Sequence, residues 1–287
     1  MTEEIQLKAL SGETLSSLAE RCGLSAQLPK IREHVRPAIY ITLEDAGSGD
    51  VGQSRIGGVP DLPSSLVWPS DARWGYRCFI LQINFAQLPK FPTAFSYGSL
   101  PAQGMLYLFV NEGGNDANQV IFYDGSEPLQ PVSSPATEDL ITDWYLDLKA
   151  HTLSFQLGLD LPRWATDEYE EMCDRLQLDE DRYEALTRLL SQGSLGKLLG
   201  YAAGIGHDPR HDAYVVREHD PAWVYDYERR KQLDMTKAWN WQNLLQLDSD
   251  YTIDLGFGDA GYLQVLIHGD DLMPLDVSRV YVNLESS

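Results

Sequence analysis

The sequence predicts an α+β chain of two related strand-rich halves with a mostly antiparallel sheet, an N-terminal helical cap and a central helical hairpin. Three observations carry that expectation. Short apolar runs, each bounded by turn residues, fill both ends of the chain. Two stretches with apolar residues at helical spacing lie back to back between 166 and 190. One ordered series of short segments also occurs twice.

The elements follow in order. Leu15, Leu18 and Cys22 stand at i, i+3 and i+7, with Ser11 as a cap and Gly23 as the stop, and Pro29 suits the first turn of a second short helix. AIYITL at 38–43 switches to a strand. The glycines and prolines from Gly47 to Trp74 predict a long shaped loop with no central strand in it. Strands are expected at 77–85, 104–110 and 119–123. In the middle, Tyr169, Met172, Cys173 and Leu176 make one helical stripe behind an acidic first turn, and Tyr183, Leu186, Leu189 and Leu190 make another that Gly193 ends. Strands return at 243–248, 261–268 and 278–284.

The repeat sets Arg55-Ile56-Gly57-Gly58, Leu81-Gln82-Ile83-Asn84 and a glycine-led strand at Gly104 against Leu198-Leu199-Gly200-Tyr201, Leu245-Gln246-Leu247-Asp248 and Gly261. The second copy carries an insertion, roughly HDPRHDAYVVREHDPAW, expected as a surface loop. The expected organisation is a cap at 1–35, a first half at 36–160, a helical connector at 161–193 and a second half at 194–287, packed with the first as one globular unit.

Charge narrows the function. With 22 Lys and Arg against 43 Asp and Glu the net charge is −21, so neither nucleic acid nor an anionic membrane surface is an expected partner. A hydrophobic content of 43% argues against disorder. No apolar run approaches the ~20 residues of a membrane span, and the acidic start MTEEIQ is unlike a signal peptide, so the expected location is the cytoplasm. Cys22, Cys78 and Cys173 are widely spaced without CxxC, which fits buried reduced thiols.

Motifs with chemical meaning are sparse. Gly256 to Gly261 spells G-x-G-x-x-G but precedes a strand where a dinucleotide loop needs a helix, and Gly193 to Lys197 lacks the spacing of a phosphate loop. Asp248, Asp250, Thr252, Asp254 and Asp259 have the spacing of a calcium loop, but Ile253 stands where its glycine belongs. His207, His211 and His219 cluster, yet Pro209 argues against the regular helix on which two histidines would share a metal. Neither metal nor cofactor is expected, and no catalytic residue is identified. The ligand-binding candidates are Arg55 beside Gly57 and Gly58, Asp259 before Gly261, and the strand residues Gln82 and Gln246. Arg55 and Asp259, on glycine turns of opposite halves, would make either an ion pair locking the halves or an anion-reading pocket.

Trp223, Tyr225, Tyr227, Trp239 and Trp241 crowd into nineteen residues, as an interface or as core filling. Residues 241–287 hold eight acids, Asp270, Asp271 and Asp276 among them, against the single base Arg279. A partner for that face is basic.

SRIGGVPDLP, the Trp68-Pro69 pair, FILQINF, LPAQGMLYLFV, LLGYAAGI, NLLQLDSD, GDAGYLQVLI and a final D-L with SRV together resemble the YwqG-like family of bacterial proteins, a domain of unknown function, over roughly residues 30–285. The resemblance implies an α+β fold of two related halves, and the family is associated with genomic neighbourhoods of secreted toxins and their immunity proteins. It supplies no catalytic residue. Its pattern is matched at Arg55–Pro63 and Gly258–Gly261, whereas the histidines of 207–219 look local to this chain. The expected function is an acidic, immunity-like interaction protein in which Trp223, Asp270, Asp271 and Asp276 meet a basic partner, such as a toxin. The alternative is an enzyme or small-ligand binder with a cleft between the halves.

Overall fold

The computed structural model describes residues 8–9, 11–73, 75–91, 100–111, 119–135 and 148–286. Residues 1–7 of the expected cap, and the acidic start with them, lie outside the described residues. In chain order the strands are β1 (Arg36–Ala46), β2 (Arg55–Ile56), β3 (Asp61–Pro63), β4 (Ser70–Asp71), β5 (Gly75–Tyr76), β6 (Cys78–Asn84), β7 (Met105–Val110), β8 (Gln119–Tyr123), β9 (Leu129–Pro131), β10 (His151–Asp160), β11 (Gly196–Leu199), β12 (Trp241–Asp248), β13 (Tyr262–His268) and β14 (Tyr281–Glu285). The helices are α1 (Leu15–Arg21), α2 (Leu28–Ile31), α3 (Asp167–Leu176), α4 (Glu180–Leu190), α5 (Pro209–Glu218), α6 (Tyr227–Arg230) and α7 (Gly269–Leu272).

Ten strands form one sheet in the order β14-β13-β12-β11-β1-β10-β2-β6-β7-β8, with antiparallel pairing throughout. β1 and β10 occupy its middle. Because side chains alternate along a strand, Ile39 and Ile41 of β1 enter one face while Tyr40 and Thr42 take the other, where Thr42 Oγ1 meets Ser154 Oγ at 2.7 Å. Every strand of the sheet sends residues into one apolar cluster, from Val120 of β8 to Val282 of β14. β8, at one end of the strand order, touches the Val277–Arg279 turn that leads into β14 at the other end. The sheet therefore curls around that cluster, and the two ends approach each other.

The outer face has three separate covers. Leu15 and Leu18 of α1, Met172 of α3 and Tyr183 and Leu186 of α4 pack with Leu161. Tyr214 of α5 packs with Trp241, Leu266 and Tyr281. Leu62 and Trp68 cover Phe79, Tyr107 and Phe109. Burying one such side chain contributes about 1.5–3 kcal/mol, which is why the strands read as near-continuous apolar runs: both faces are occupied.

The central helical pair lies where its periodicity puts it, α3 ending at a left-handed Gln177 and α4 starting at Asp179, whose side chain accepts from Arg182 N at 3.1 Å. Three expectations need correction. Thr14, not Ser11, caps α1, accepting from Ser17 N at 3.2 Å. The segment expected as a surface loop contains α5, because Pro209 stands at the first helical turn, where a missing N–H costs nothing, behind Asp208 as cap. And the glycine-proline loop does contain an inner strand, since β2 lies between β10 and β6. It lasts two residues because Gly57 and Gly58 both turn to positive φ, +67° and +70°.

That turn is tight. A Cβ on Gly57 would lie 2.7 Å from the backbone oxygens of Leu148 and Lys149, whereas one on Gly12, also at positive φ, meets nothing within 4 Å. Gly12→Ala should therefore cost only the backbone strain, about 1 kcal/mol, and Gly57→Ala at least about 2 kcal/mol more. Thermal unfolding of the two variants checks this, the second melting about 4–8 °C below the first.

Candidate functional site

Side chains opposite each other on neighbouring strands share a face, and two polar rows cross the sheet in this way. In the first, Arg55 of β2 stands opposite Gln82 of β6, which stands opposite Tyr107 of β7. All three are buried, and a carboxylate closes over them. Asp61 accepts from Arg55 Nη2, from Gln82 Nε2 at 3.0 Å and from Gly52 N at 2.7 Å. Its backbone N–H donates to Gln82 Oε1 at 2.8 Å, and Tyr107 Oη donates to its carbonyl at 2.7 Å. Arg55 is thus 2% exposed and held by a carboxylate six residues away. This corrects its expected pairing with Asp259. Asp259 is exposed in the turn before β13, beside Gly261, whose N–H donates to Phe257 O at 2.9 Å. Of the seven ligand-binding candidates, the structure brings together Arg55, Gly57, Gly58 and Gln82.

In the second row, Lys197 of β11 stands opposite Gln246 of β12, which stands opposite Gln264 of β13. Lys197 Nζ donates to Asp160 Oδ2 at 2.5 Å, Tyr201 N donates to the same oxygen at 2.8 Å, and Arg163 Nη2 donates to Asp160 Oδ1 at 3.1 Å. Asp160 is fully buried. Burial alone would raise its pKa, but Lys197 and Arg163 hold its carboxyl below the usual carboxylate range. Burial pushes the Lys197 ammonium down to about 8 against the pull of Asp160. Beside it a cavity of about 20 Å³ is lined by Tyr40, Arg163, Ser194, Lys197, Gln246 and Asp248.

The sequence reading missed Asp61, Asp160, Arg163 and Lys197. The signal was there for one of them: a lysine inside the apolar strand GKLL has to find an anion.

The surface carries a different chemistry. Asp167 at the start of α3 accepts from Trp239 Nε1 at 2.7 Å and lies 2.9 Å from His211 Nε2, and the hydrogen bond with His211 depresses its pKa. Arg210 bridges Glu168, at 2.7 Å, and Asp208, at 2.9 Å. Asp167, Asp208 and His211 offer three metal-ligating atoms within 4.8 Å of one another, yet each already serves this ion-pair network. His207 and Arg230 both reach Asp212, at 2.9 Å and 2.8 Å.

Trp223, half-buried, stacks on His219 at 5.8 Å with Arg229 over its ring. From there a line of contacts runs along the surface. Glu218, next to His219, accepts from Trp241 Nε1 at 2.9 Å and lies 4.0 Å from His268, which lies 3.6 Å from Asp270. Asp271 pairs with Arg279 at 2.7 Å, and Asp276 accepts from Ser278 N at 2.9 Å. Nearby in sequence, Tyr225 is 96% exposed, Tyr227 69% and Trp239 47%.

Two outcomes follow from these pairs. Asp160→Asn leaves two buried cations without their anion and should destabilise the fold by about 3–5 kcal/mol, a fall of about 6 °C or more in Tm. Asp160 is more acidic folded than unfolded. Its contribution should be complete above the unfolded value, about 3.9, and should disappear as pH falls through the lower folded value, so the variant's deficit should shrink in acid. The hydrogen bond that His207 donates to the Asp212 carboxylate raises the His207 pKa above about 6.5. An NMR titration should place its midpoint there, and Asp212→Asn should bring it down; the charged imidazole stabilises the fold below the unfolded value, and that support is lost as pH rises through the folded one.

Residues 54–285 match the family described as Domain of unknown function (DUF1963). That is about four fifths of the chain, and the chain belongs to this family. No curated protein matches it.

Proposed function

We propose, for this member of a family without an assigned activity, an acidic protein-interaction domain that binds a basic partner protein. The observation that carries this reading is the series Trp223 on His219, its chain neighbour Glu218 near His268, and His268 near Asp270, with exposed Tyr225, Tyr227 and Trp239 nearby in sequence, on a chain of net charge −21. Aromatic side chains supply anchoring area, and carboxylates around them select a cation-rich surface and speed its approach. Asp270, Asp271 and Asp276 form the acidic end of the face. No helix among the described residues is long and apolar enough to cross a membrane, and the proposed setting is the cytoplasm. The YwqG-like resemblance adds the finer reading that the partner is a toxin and this chain its immunity-like neutraliser. The competing reading, a ligand cleft between the halves built on Arg55 and Asp259, loses support because Asp61 already occupies the guanidinium.

The scaffold of this face we read as a duplication. The strand order runs outward from β1 and β10 in the same way on both sides, with β6 and β12 each third from an end. Arg55-Gln82 and Lys197-Gln246 are facing pairs, and two left-handed residues stand at the end of each first strand, Gly57-Gly58 just after β2 and Leu199-Gly200 across the end of β11. This register favours matching Gly58 to Gly200, one residue from the alignment suggested by the strings. The cap and the 161–193 connector stand outside the two copies in this reading.

The test begins with affinity capture and identification of the bound protein, followed by binding kinetics of the purified pair. The partner should be basic. Association should slow by about tenfold or more between low and high salt, since exposed charges steer encounter only within about a Debye length. Neutralising Asp270, Asp271 and Asp276 to Asn should mainly lower the on-rate, and Trp223→Ala should mainly raise the off-rate by about tenfold. Salt-independent binding, with kinetics unchanged in the triple variant, would remove this reading.

A further inference from the structure

The glutamines that face the two cations, Gln82 and Gln246, differ in one hydrogen bond. In the first, the Gln82 amide is complete: its Oε1 accepts from Asp61 N at 2.8 Å, and its Nε2 donates to Gln53 O at 2.7 Å and to Asp61 Oδ2 at 3.0 Å. In the second, the Gln246 amide is half complete. Its Nε2 donates to Asp248 Oδ1 at 2.8 Å, which fixes the amide's orientation, and its buried Oε1 has no donor among the described residues. Gln246 is 8% exposed and lines the cavity beside Lys197. A buried amide oxygen left unpaired costs about 1–3 kcal/mol.

The first row shows what is missing. There the chain folds back after Gly57 and Gly58 and presents a backbone N–H to the glutamine oxygen. In the second row the carboxylate partner of the cation comes from Asp160 instead, and no backbone N–H follows it to Gln246. The absent piece is a single hydrogen-bond donor. The space left for it is about 20 Å³. One water needs about 10–15 Å³ on this measure and two to four polar partners. The walls supply the partners: the Lys197 ammonium, the Arg163 guanidinium, the Asp248 carboxylate and the Ser194 hydroxyl line the same space as Gln246. An ion of either sign is poorly matched, because two cations and two carboxylates already balance there.

We propose that the cavity beside Lys197 is a binding site for one ordered water, which donates to Gln246 Oε1 and takes the place that the Asp61 N–H fills in the first row. The bound water completes the Gln246 amide. The site is independent of the acidic face, so loss of partner binding leaves it untouched.

A crystal structure of the full chain, at a resolution that shows ordered solvent, should contain a density peak about 2.7–3.2 Å from Gln246 Oε1. In solution, the Gln246 side-chain amide protons, assigned by their loss in Gln246→Leu, should show cross-relaxation with a long-lived water. The Gln82 amide protons, enclosed by protein partners, provide the internal comparison and should show none. An empty cavity, a protein donor on Gln246 Oε1, or the same water signal at neither glutamine overturns the proposal.

Discussion

One buried carboxylate holds the middle of this molecule. Asp160 ends β10, yet its two oxygens are shared by Lys197 on β11, by Tyr201 just beyond β11 and by Arg163 on the way into α3. Between β10 and β11 lies β1, so the ion pair reaches across a strand and ties together segments far apart in sequence. Such a pair contributes little over an apolar filling, because the desolvation of both charges offsets most of the attraction. What it does is make the arrangement specific: any shift of β11 along β1 separates Lys197 from Asp160 and leaves buried charges unmatched.

The same logic explains why the sheet has two different kinds of surface on its two faces. The inner face is apolar from end to end and sets no register beyond its alternation. The outer face carries Arg55, Gln82, Lys197, Gln246 and Gln264, each of which needs a partner at a fixed place. Register is therefore specified on the outer face and stabilised on the inner one.

How much of this the sequence disclosed depends on how local the cause was. The α3 and α4 helices were legible because a stripe at 3.6 residues and an acidic first turn are written within ten residues. The strands with glycine before and turn residues after were legible for the same reason. α5 was misread because a proline was taken as a breaker without asking whether it stood at the first turn, where Asp208 caps the helix. Arg55 stands out in the sequence beside its glycines, but its partner was sought in the other half. Asp61 sat in the same quoted string, and only the fold-back at Gly57 and Gly58 brings it round. Asp160 and Lys197 were invisible for a stronger reason: their meeting depends on β10 and β11 flanking β1, and nothing in either strand states that order. The acidity of the proposed face was legible as composition, while the approach of Glu218 to His268 needed the end of α5 to be placed beside the end of β13.

The position of β1 has a consequence for how the chain reaches this state. β1 is made early, but its sheet neighbours, β10 and β11, come more than a hundred residues later. Until they arrive, an eleven-residue strand with Ile39 and Ile41 on one side has both backbone edges open. Pairings of such long sequence separation are slow, because the entropy of closing the loop has to be spent before any contact forms. During synthesis the first half emerges with its innermost strand unpaired, and exposed edges of this kind are where chains associate wrongly. The helical hairpin between β10 and β11 shortens the last step. It keeps β11 close in sequence to β10, so that once β10 has docked the loop left to close before β11 can pair with β1 is short.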